Sequence, residues 1–297
     1  MTKSFSIICA IITTFIWGTA FIAQDTGMDN IGPLTFNSAR FWVGFITILP
    51  FALFYEKKKI LIEIETNRAK FFKYLVIMGV SLFLGTSLQQ ASLQYTNVAN
   101  AAFFTVFYVP LVPILLFFIY SQKVHWSIWP SIGLCIYGVY LLSNFSNSEI
   151  MKGDALVILC SLFWALHIIF AGKFMETFDI PIFYAALQGF LVATLSTLAA
   201  YAFEEIIISD ILLETSSIIY AGVLSGGLAF TLQMFAQKNI EEAPAAIIYS
   251  LEGVFAVVAA WIILDQILNM NNIIGCVLIL SAVIFSQLAP SIKKTNK

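Results

Sequence analysis

The sequence predicts an all-α integral membrane protein whose ten transmembrane helices form two inverted five-helix repeats. Three observations predict this fold: an apolar composition, ten apolar segments of membrane-spanning length, and motifs that recur in the same order in both halves. Of the 297 residues, 60% are hydrophobic and 11% are charged, whereas a soluble domain carries about 25% charged residues. Because so few charges cannot cover a soluble globule, the apolar surface must face lipid.

The ten apolar segments are separated by short polar connections, of which the longest runs from Tyr55 to Lys73. Each segment has a length close to the roughly 17–25 residues that a helix needs to cross a bilayer. We place the segments at 5–24, 33–54, 72–92, 97–120, 127–143, 153–172, 181–203, 215–236, 243–264 and 272–289.

The distribution of lysine and arginine orients these helices, because cytoplasmic connections carry an excess of basic residues. With a cytoplasmic N-terminus, thirteen of the fifteen basic residues fall on the cytoplasmic side, Lys152 lies on the other side, and Arg40 lies inside a helix. An even number of crossings returns the chain to its starting side. We therefore expect a multi-pass protein of the inner (plasma) membrane with both termini in the cytoplasm.

Four sequence anchors recur in one order, which indicates an internal duplication. They pair Trp17 with Trp164, Pro33 with Pro181, the run from Ser87 with the run from Thr231, and Gly133 with Gly275. The repeats are predicted at 1–147 and 148–297, within one membrane domain. Since each repeat holds an odd number of helices, the second enters the membrane upside down, and a polar seam is expected between the repeats near the midplane.

Three motifs stand at matching places along the chain. They are Trp17-Gly18 in the first helix, LQYTNVANAAFF followed by Pro110, and AQKNIEEAPAAIIYSLEGVFAVVAAWIILD. Together they resemble the EamA family of the drug/metabolite transporter superfamily, over nearly all of residues 5–288. The resemblance implies export or uptake of amino acids or similar small metabolites by alternating access, and of the two directions we expect efflux. Gly253 stands where that family usually has proline after the glutamate, so a substrate cannot be copied from one relative.

Two full charges, Arg40 and Glu252, lie well inside predicted helices. A charge at the centre of a membrane helix costs roughly 2.5–3.5 kcal/mol on insertion scales, so such residues face protein or a water-filled cavity. The two residues either form a structural ion pair or supply one pole each for a zwitterionic solute, and both interpretations stay open. Glu252 is also the candidate carrier of a coupling proton.

Amides and tryptophans complete the predicted substrate site. Gln90 and Gln94 are four residues apart, hence on one face of a helix, and their amides can donate to and accept from a polar solute. Bridging between membrane helices is the alternative role of these amides. Trp17 and Trp164 lie inside apolar segments rather than at their ends, so we expect both to face the cleft. The candidate site residues are Trp17, Arg40, Gln90, Gln94, Trp164 and Glu252.

The chain has no P-loop, no G-x-S-x-G elbow and no HExxH motif, so we expect no enzyme activity, no cofactor and no metal site. A net charge of −2 provides no basic field for nucleic acid. The expected partners are a small polar solute, membrane lipids and protons, and a homodimer stays open. Two alternatives to a metabolite carrier remain: a flippase-like carrier of lipids or hydrophobic solutes, and a membrane scaffold that transports nothing.

Overall fold

The computed structural model describes residues 2–96, 98–143, 152–263 and 267–292. Within these ranges nine helices are long and apolar enough to cross a membrane, and a tenth apolar helix, Ile128–Leu142, is shorter. The predicted all-α fold with ten membrane helices is confirmed.

The chain has more helices than membrane crossings, because some helices are too short to cross and some crossings are broken into two or three helices. The first half contains α1 (Lys3–Thr26), α2 (Pro33–Tyr55), α3 (Lys57–Thr66), α4 (Arg68–Ser92), α5 (Val98–Thr105), α6 (Tyr108–Tyr120) and α7 (Ile128–Leu142). The second half contains α8 (Asp154–Met175), α9 (Pro181–Phe203), α10 (Ile208–Leu213), α11 (Thr215–Tyr220), a π-helix (Ala221–Ala229), α12 (Phe230–Gln237), α13 (Glu242–Tyr249), α14 (Leu251–Ile263) and α15 (Met270–Ile292). One crossing is formed by α5 with α6, one by α11 with the π-helix and α12, and one by α13 with α14.

The connection predicted between Tyr55 and Lys73 is largely helical instead. It contains α3, and α4 begins at Arg68, four residues earlier than the predicted segment. The reason is an apolar face at helical spacing: Ile60 and Ile64 turn toward the protein and pack in a cluster with Phe71.

The fourth and ninth crossings are broken at matching places. Between α5 and α6, the amide of Phe107 bonds to the carbonyl of Phe104, three residues back. Pro110 follows at once, and it has no N–H with which to continue the helical ladder. Between α13 and α14 the break falls at Ser250, whose Oγ donates to the carbonyl of Ile247 at 2.7 Å. Both breaks lie among buried residues, since Val106 and Ser250 are buried.

The two halves interlock. Along its length α2 packs against α9, α7 packs against α15, and α1 packs against α14, so each of these pairs joins the first half to the second. Glycines allow this close approach. A Cβ atom on Gly275 of α15 would stand 2.5 Å from the carbonyl oxygen of Gly138 of α7, and one on Gly18 of α1 would stand 2.6 Å from that of Glu252.

Two glutamates cap the central pair α2–α9 in an inverted arrangement. Glu204, just after α9, accepts the backbone N–H groups of Leu34 and Thr35 at the start of α2, both at 2.8 Å. Glu56, just after α2, accepts those of Ile182 and Phe183 at the start of α9, at 3.1 and 2.7 Å. Carboxylates suit helix N-termini because they meet free N–H groups and the positive end of the helix dipole. The reciprocal caps lie at opposite faces of the membrane domain, as inverted repeats require.

Candidate functional site

A cavity lies between the two halves, and the space between its lining residues, including the part that is open to solvent, is about 570 Å³. In the first half, the lining comes from α1, α2, α4 and the break between α5 and α6. In the second half, it comes from α8, the π-helix, α12 and the break between α13 and α14.

Aromatic rings form one wall of the cavity. Trp17 and Trp164, the repeat-related tryptophans, lie 6.3 Å apart between ring centroids. Phe230 of α12 contacts both, at 5.2 Å from Trp17 and, in a stacked arrangement, at 6.4 Å from Trp164. Tyr249 adds an edge contact to Trp17 at 5.6 Å. The structure thus places both predicted tryptophans in the cavity lining.

The broken helices also contribute directly to the lining. Thr105 and Tyr108 flank the break between α5 and α6, and Tyr249 and Glu252 flank the break between α13 and α14. Tyr108 and Glu252 are 144 residues apart, the same offset that relates Ser87 to Thr231, so they occupy equivalent places in the two repeats. Discontinuous membrane helices are tolerated where the broken backbone is buried in protein or lines a cavity.

Arg40 carries the positive charge of the cavity. Its side chain is buried in the second turn of α2, and its Nε donates to Asn37 Oδ1 at 2.8 Å. The guanidinium carbon lies 5.1 Å from the ring of Phe41 and 5.5 Å from that of Phe36. No salt bridge joins Arg40 to an acidic residue in the described part of the chain. Its terminal nitrogens are therefore available to an anion in the cavity.

Glu252 carries the negative charge. It lies in the first turn of α14, and α1 holds its backbone closely, since Gly18 leaves no room for a side chain between them. Over the described residues the Glu252 carboxylate forms neither a salt bridge nor a hydrogen bond with another side chain. The cavity therefore has one cationic and one anionic group, supplied by different repeats and not paired with each other.

Several buried polar atoms of the lining have no hydrogen-bond partner among the described residues. They are the hydroxyl oxygens of Tyr108 and Tyr249, the indole nitrogen of Trp164, and both amide atoms of Gln233. Most buried polar groups in proteins are hydrogen-bonded. These groups can therefore bind a ligand that donates and accepts hydrogen bonds.

Gln90 and Gln94 are not among the residues that line this cavity. Because α4 ends at Ser92, Gln94 lies in the following turn and is exposed. Gln90 is fully buried against α1, where its Nε2 donates to the carbonyl of Gln24 at 2.8 Å. Gln90 therefore bridges α4 and α1, which is the alternative role given above for these amides. We do not carry either residue into the proposed site.

Two other glutamines line the cavity instead, Gln89 of α4 and Gln233 of α12. Gln89 donates to the hydroxyl of Thr105 at 3.1 Å. The duplication contained a signal for this pair, because Gln233 stands in the place of Gln89 when the two halves are aligned.

The face of the protein that holds the start of α1 and the end of α15 is here called the N-terminal face. An aromatic cluster lies near this face, where the start of α4, the end of α8 and the start of α9 meet. Phe71, Phe174, Phe178 and Tyr184 are buried together, and the rings of Phe174 and Tyr184 stack with centroids 3.4 Å apart.

Ion pairs lie beside the aromatic cluster on the N-terminal face. Lys173 of α8 lies 3.2 Å from the buried carboxylate of Glu242 and 2.9 Å from that of Glu176. Asp179, between α8 and α9, pairs with Lys59 of α3 and with Lys238 after α12. Burial alone would raise the pKa of Asp179, but hydrogen bonds from Lys238 and Lys59 hold that pKa below its ordinary value.

Comparison with known families gives two matches to one family. Residues 4–144 and residues 151–288 each match the EamA-like transporter family. Together the matches cover nearly the whole chain and correspond to its two halves.

Individual relatives agree with this match. An "uncharacterized transporter" of Archaeoglobus fulgidus is 29% identical over 93% of this chain and 84% of its own length. The "uncharacterized transporter YoaV" of Bacillus subtilis is 23% identical over 96% and 97%, and a WAT1-related protein of Arabidopsis thaliana is 23% identical over 84% and 80%. A solved crystal structure superposes with a TM-score of 0.77, over 97% of this chain and all of the other, at 14% identity. That last likeness concerns the fold alone.

Proposed function

The chain belongs to the EamA-like transporter family, and from that premise we propose that it carries a small zwitterionic metabolite, an amino acid or a related compound, through the cavity between its two halves. Transport proceeds by alternating access, with efflux as the direction. The membrane is the inner (plasma) membrane, and both termini are cytoplasmic, as the distribution of basic residues predicts.

The observation that carries this proposal is the pair of unpartnered charges in one cavity. A carboxylate of the solute meets the guanidinium of Arg40, which offers a fork of N–H donors suited to that group. The ammonium group of the solute meets Glu252, which forms no salt bridge with a lysine or arginine among the described residues. A zwitterion compensates both charges at once, whereas a neutral or singly charged solute leaves at least one of them buried and unpaired.

The remaining lining supports a solute with both apolar and polar parts. Phe230, Trp17 and Trp164 offer apolar contact area, while the free atoms of Gln233 and Tyr108 offer hydrogen bonds. Pockets for small molecules usually combine a mainly apolar wall with a few well-placed polar groups.

The position of the cavity supports alternating access. Arg40, Gln24 and Gln89 lie toward the helix ends of the face opposite the N-terminal face. On the N-terminal side, the aromatic cluster and the ion pairs of Lys173 and Asp179 close the path. Release of these contacts, together with closure of the opposite side, would give the second state of the cycle.

Counterflow in proteoliposomes tests this function. Vesicles of purified protein are loaded in turn with individual amino acids, and entry of the same labelled amino acid from outside is measured. We expect labelled solute to accumulate transiently for at least one zwitterionic amino acid, and not in protein-free vesicles. No accumulation for any amino acid, combined with scrambling of labelled phospholipid by the same vesicles, would favour the flippase-like alternative; inactivity in both assays would favour a scaffold.

A further inference from the structure

The connection between the second and third crossings differs in chemistry between the two repeats. In the first half it is α3, which lies on the N-terminal face and follows α2 directly. In the second half the corresponding connection contains α10 and lies on the opposite face. The two connections have equivalent positions in an inverted repeat, so differences between them are not imposed by the fold.

The outer surface of α3 combines lysines with large apolar side chains. Lys57 and Lys58 are exposed, and one turn later Leu61 and Ile62 are 67% and 66% exposed. Residues four apart in a helix lie on one face, so these four side chains form a single surface, called here the α3 surface. The opposite side of α3 is anchored, because Ile60 is buried against the protein.

More basic residues stand at the start of α4, the next helix along the chain. Arg68, Lys70 and Lys73 are all exposed, and the guanidinium of Arg68 lies over the ring of Phe72 at 5.9 Å. Residues 57–73 contain six basic residues and two acidic ones, Glu63 and Glu65. Of the six, only Lys59 forms a salt bridge within the described structure, with Asp179.

The equivalent connection in the second half has the apolar residues but not the cations. Ile208, Leu212 and Leu213 of α10 are 73%, 66% and 66% exposed. Residues 204–215 contain four acidic residues and neither lysine nor arginine. Exposed apolar residues are thus present in both connections, but only the connection of the first half, residues 57–73, carries basic residues.

We propose that the α3 surface is a docking site for the headgroups of anionic phospholipids in the leaflet at the N-terminal face. Leu61 and Ile62 insert at the boundary between headgroups and acyl chains, as apolar residues of interfacial helices do. Lys57 and Lys58 then stand at the level of the phosphates, where each basic residue adds to the attraction of an anionic surface. Through Lys59 and Asp179, the same helix adjoins the ion pairs that close the N-terminal face.

Photocrosslinking to lipid tests the proposal with the full-length protein. The protein is reconstituted in phosphatidylcholine vesicles that contain a trace of either photoactivatable phosphatidylglycerol or photoactivatable phosphatidylcholine, and crosslinked peptides are quantified by mass spectrometry. We expect phosphatidylglycerol to label peptides from 57–73 several-fold more than phosphatidylcholine does, and to show no such preference for peptides from 204–215. Equal labelling of 57–73 by the two lipids would overturn the proposal, and this comparison requires no variant.

Variants then assign the preference to the lysines. Lys57→Gln with Lys58→Gln should reduce labelling of 57–73 by phosphatidylglycerol several-fold, to the level that phosphatidylcholine gives, whereas Lys57→Arg with Lys58→Arg should retain it. Asp210→Asn on α10 is the matched surface control and should change nothing. An undiminished preference in the glutamine variant would contradict the proposed site. Since solute flux is not measured, the outcome is independent of the proposed transport function.

Discussion

Arg40 and Glu252 face one cavity from the two different repeats, and no salt bridge connects them. Arg40 is fixed by Asn37 at 2.8 Å, and Glu252 is fixed through the close contact of its backbone with α1 at Gly18. A structural ion pair would account for two buried charges by mutual compensation. The structure has the charges without the pair, which favours a solute that bridges them.

The first prediction concerns stability. Replacing Arg40 or Glu252 by glutamine removes a charge that has no charged partner among the described residues, so neither variant should lower the unfolding temperature in detergent. Glu204→Gln is the matched carboxylate control. Its carboxylate accepts two backbone N–H groups of α2, and its loss should cost about 1–2 kcal/mol. A fall in the Arg40 and Glu252 variants as large as in Glu204→Gln would indicate a structural role instead.

The second prediction concerns pH. If Glu252 carries the coupling proton, Glu252→Gln should make counterflow insensitive to a pH gradient that affects the unmodified protein. Asp179→Asn should leave that dependence intact. Because the pKa of Asp179 is below its ordinary value of 3.8, its carboxylate is ionised throughout the physiological range, and its ion pairs are lost only as pH falls through that low value. An unchanged pH response in Glu252→Gln would exclude the proton role.

A third prediction follows from the proposed closure of the N-terminal face. Glu242→Gln removes the buried ion pair with Lys173 and should favour opening at this face. We expect labelling of Ile168→Cys by an impermeant maleimide, applied from the N-terminal face in a cysteine-free background, to rise roughly tenfold, the effect of about 1.4 kcal/mol. Glu176→Gln alters an exposed pair within one helix turn and should change labelling little. Equal labelling in both variants would refute the role of Glu242.

The interlocking of the halves gives a fourth prediction. Gly275→Ala would place a methyl group 2.5 Å from the carbonyl of Gly138, whereas a Cβ on Gly133 meets nothing within 4 Å. Overpacking of this kind typically costs about 1–3 kcal/mol. Gly275→Ala should therefore unfold at a temperature several degrees lower, and Gly133→Ala should not. Similar unfolding temperatures for the two variants would show that α7 and α15 are not closely packed.

The crossings and their duplication could be predicted because they depend on properties that the sequence carries locally. The length of an apolar segment can be read from the sequence and compared with the thickness of a bilayer. The order of repeated motifs is not changed by small differences in loop length. The position of Trp17 and Trp164 in the cavity lining could be predicted for the same reason. Bulky residues at matching places in both repeats are expected at a shared internal surface.

The rotation and the ends of individual helices could not be predicted in this way. Gln89 and Gln90 are neighbours, but only Gln89 lines the cavity, and the direction is decided by how α4 packs against its neighbours rather than by local sequence. The end of α4 at Ser92 separated Gln94 from the helix. The break at Ser250 was likewise not apparent, because no proline marks it, and the thiol of Cys135 that donates to Ser250 Oγ is distant in the sequence.

The most direct test of the central claim is counterflow of the best amino acid substrate in matched proteoliposomes of three proteins. They are the unmodified protein, the Arg40→Gln variant, and the Arg68→Gln variant, which loses an exposed arginine outside the cavity. We predict flux that is reduced at least about tenfold by Arg40→Gln, as for loss of a charge-assisted contact, and is unaffected by Arg68→Gln. Equal flux in all three proteins would contradict a substrate path between the repeats at Arg40.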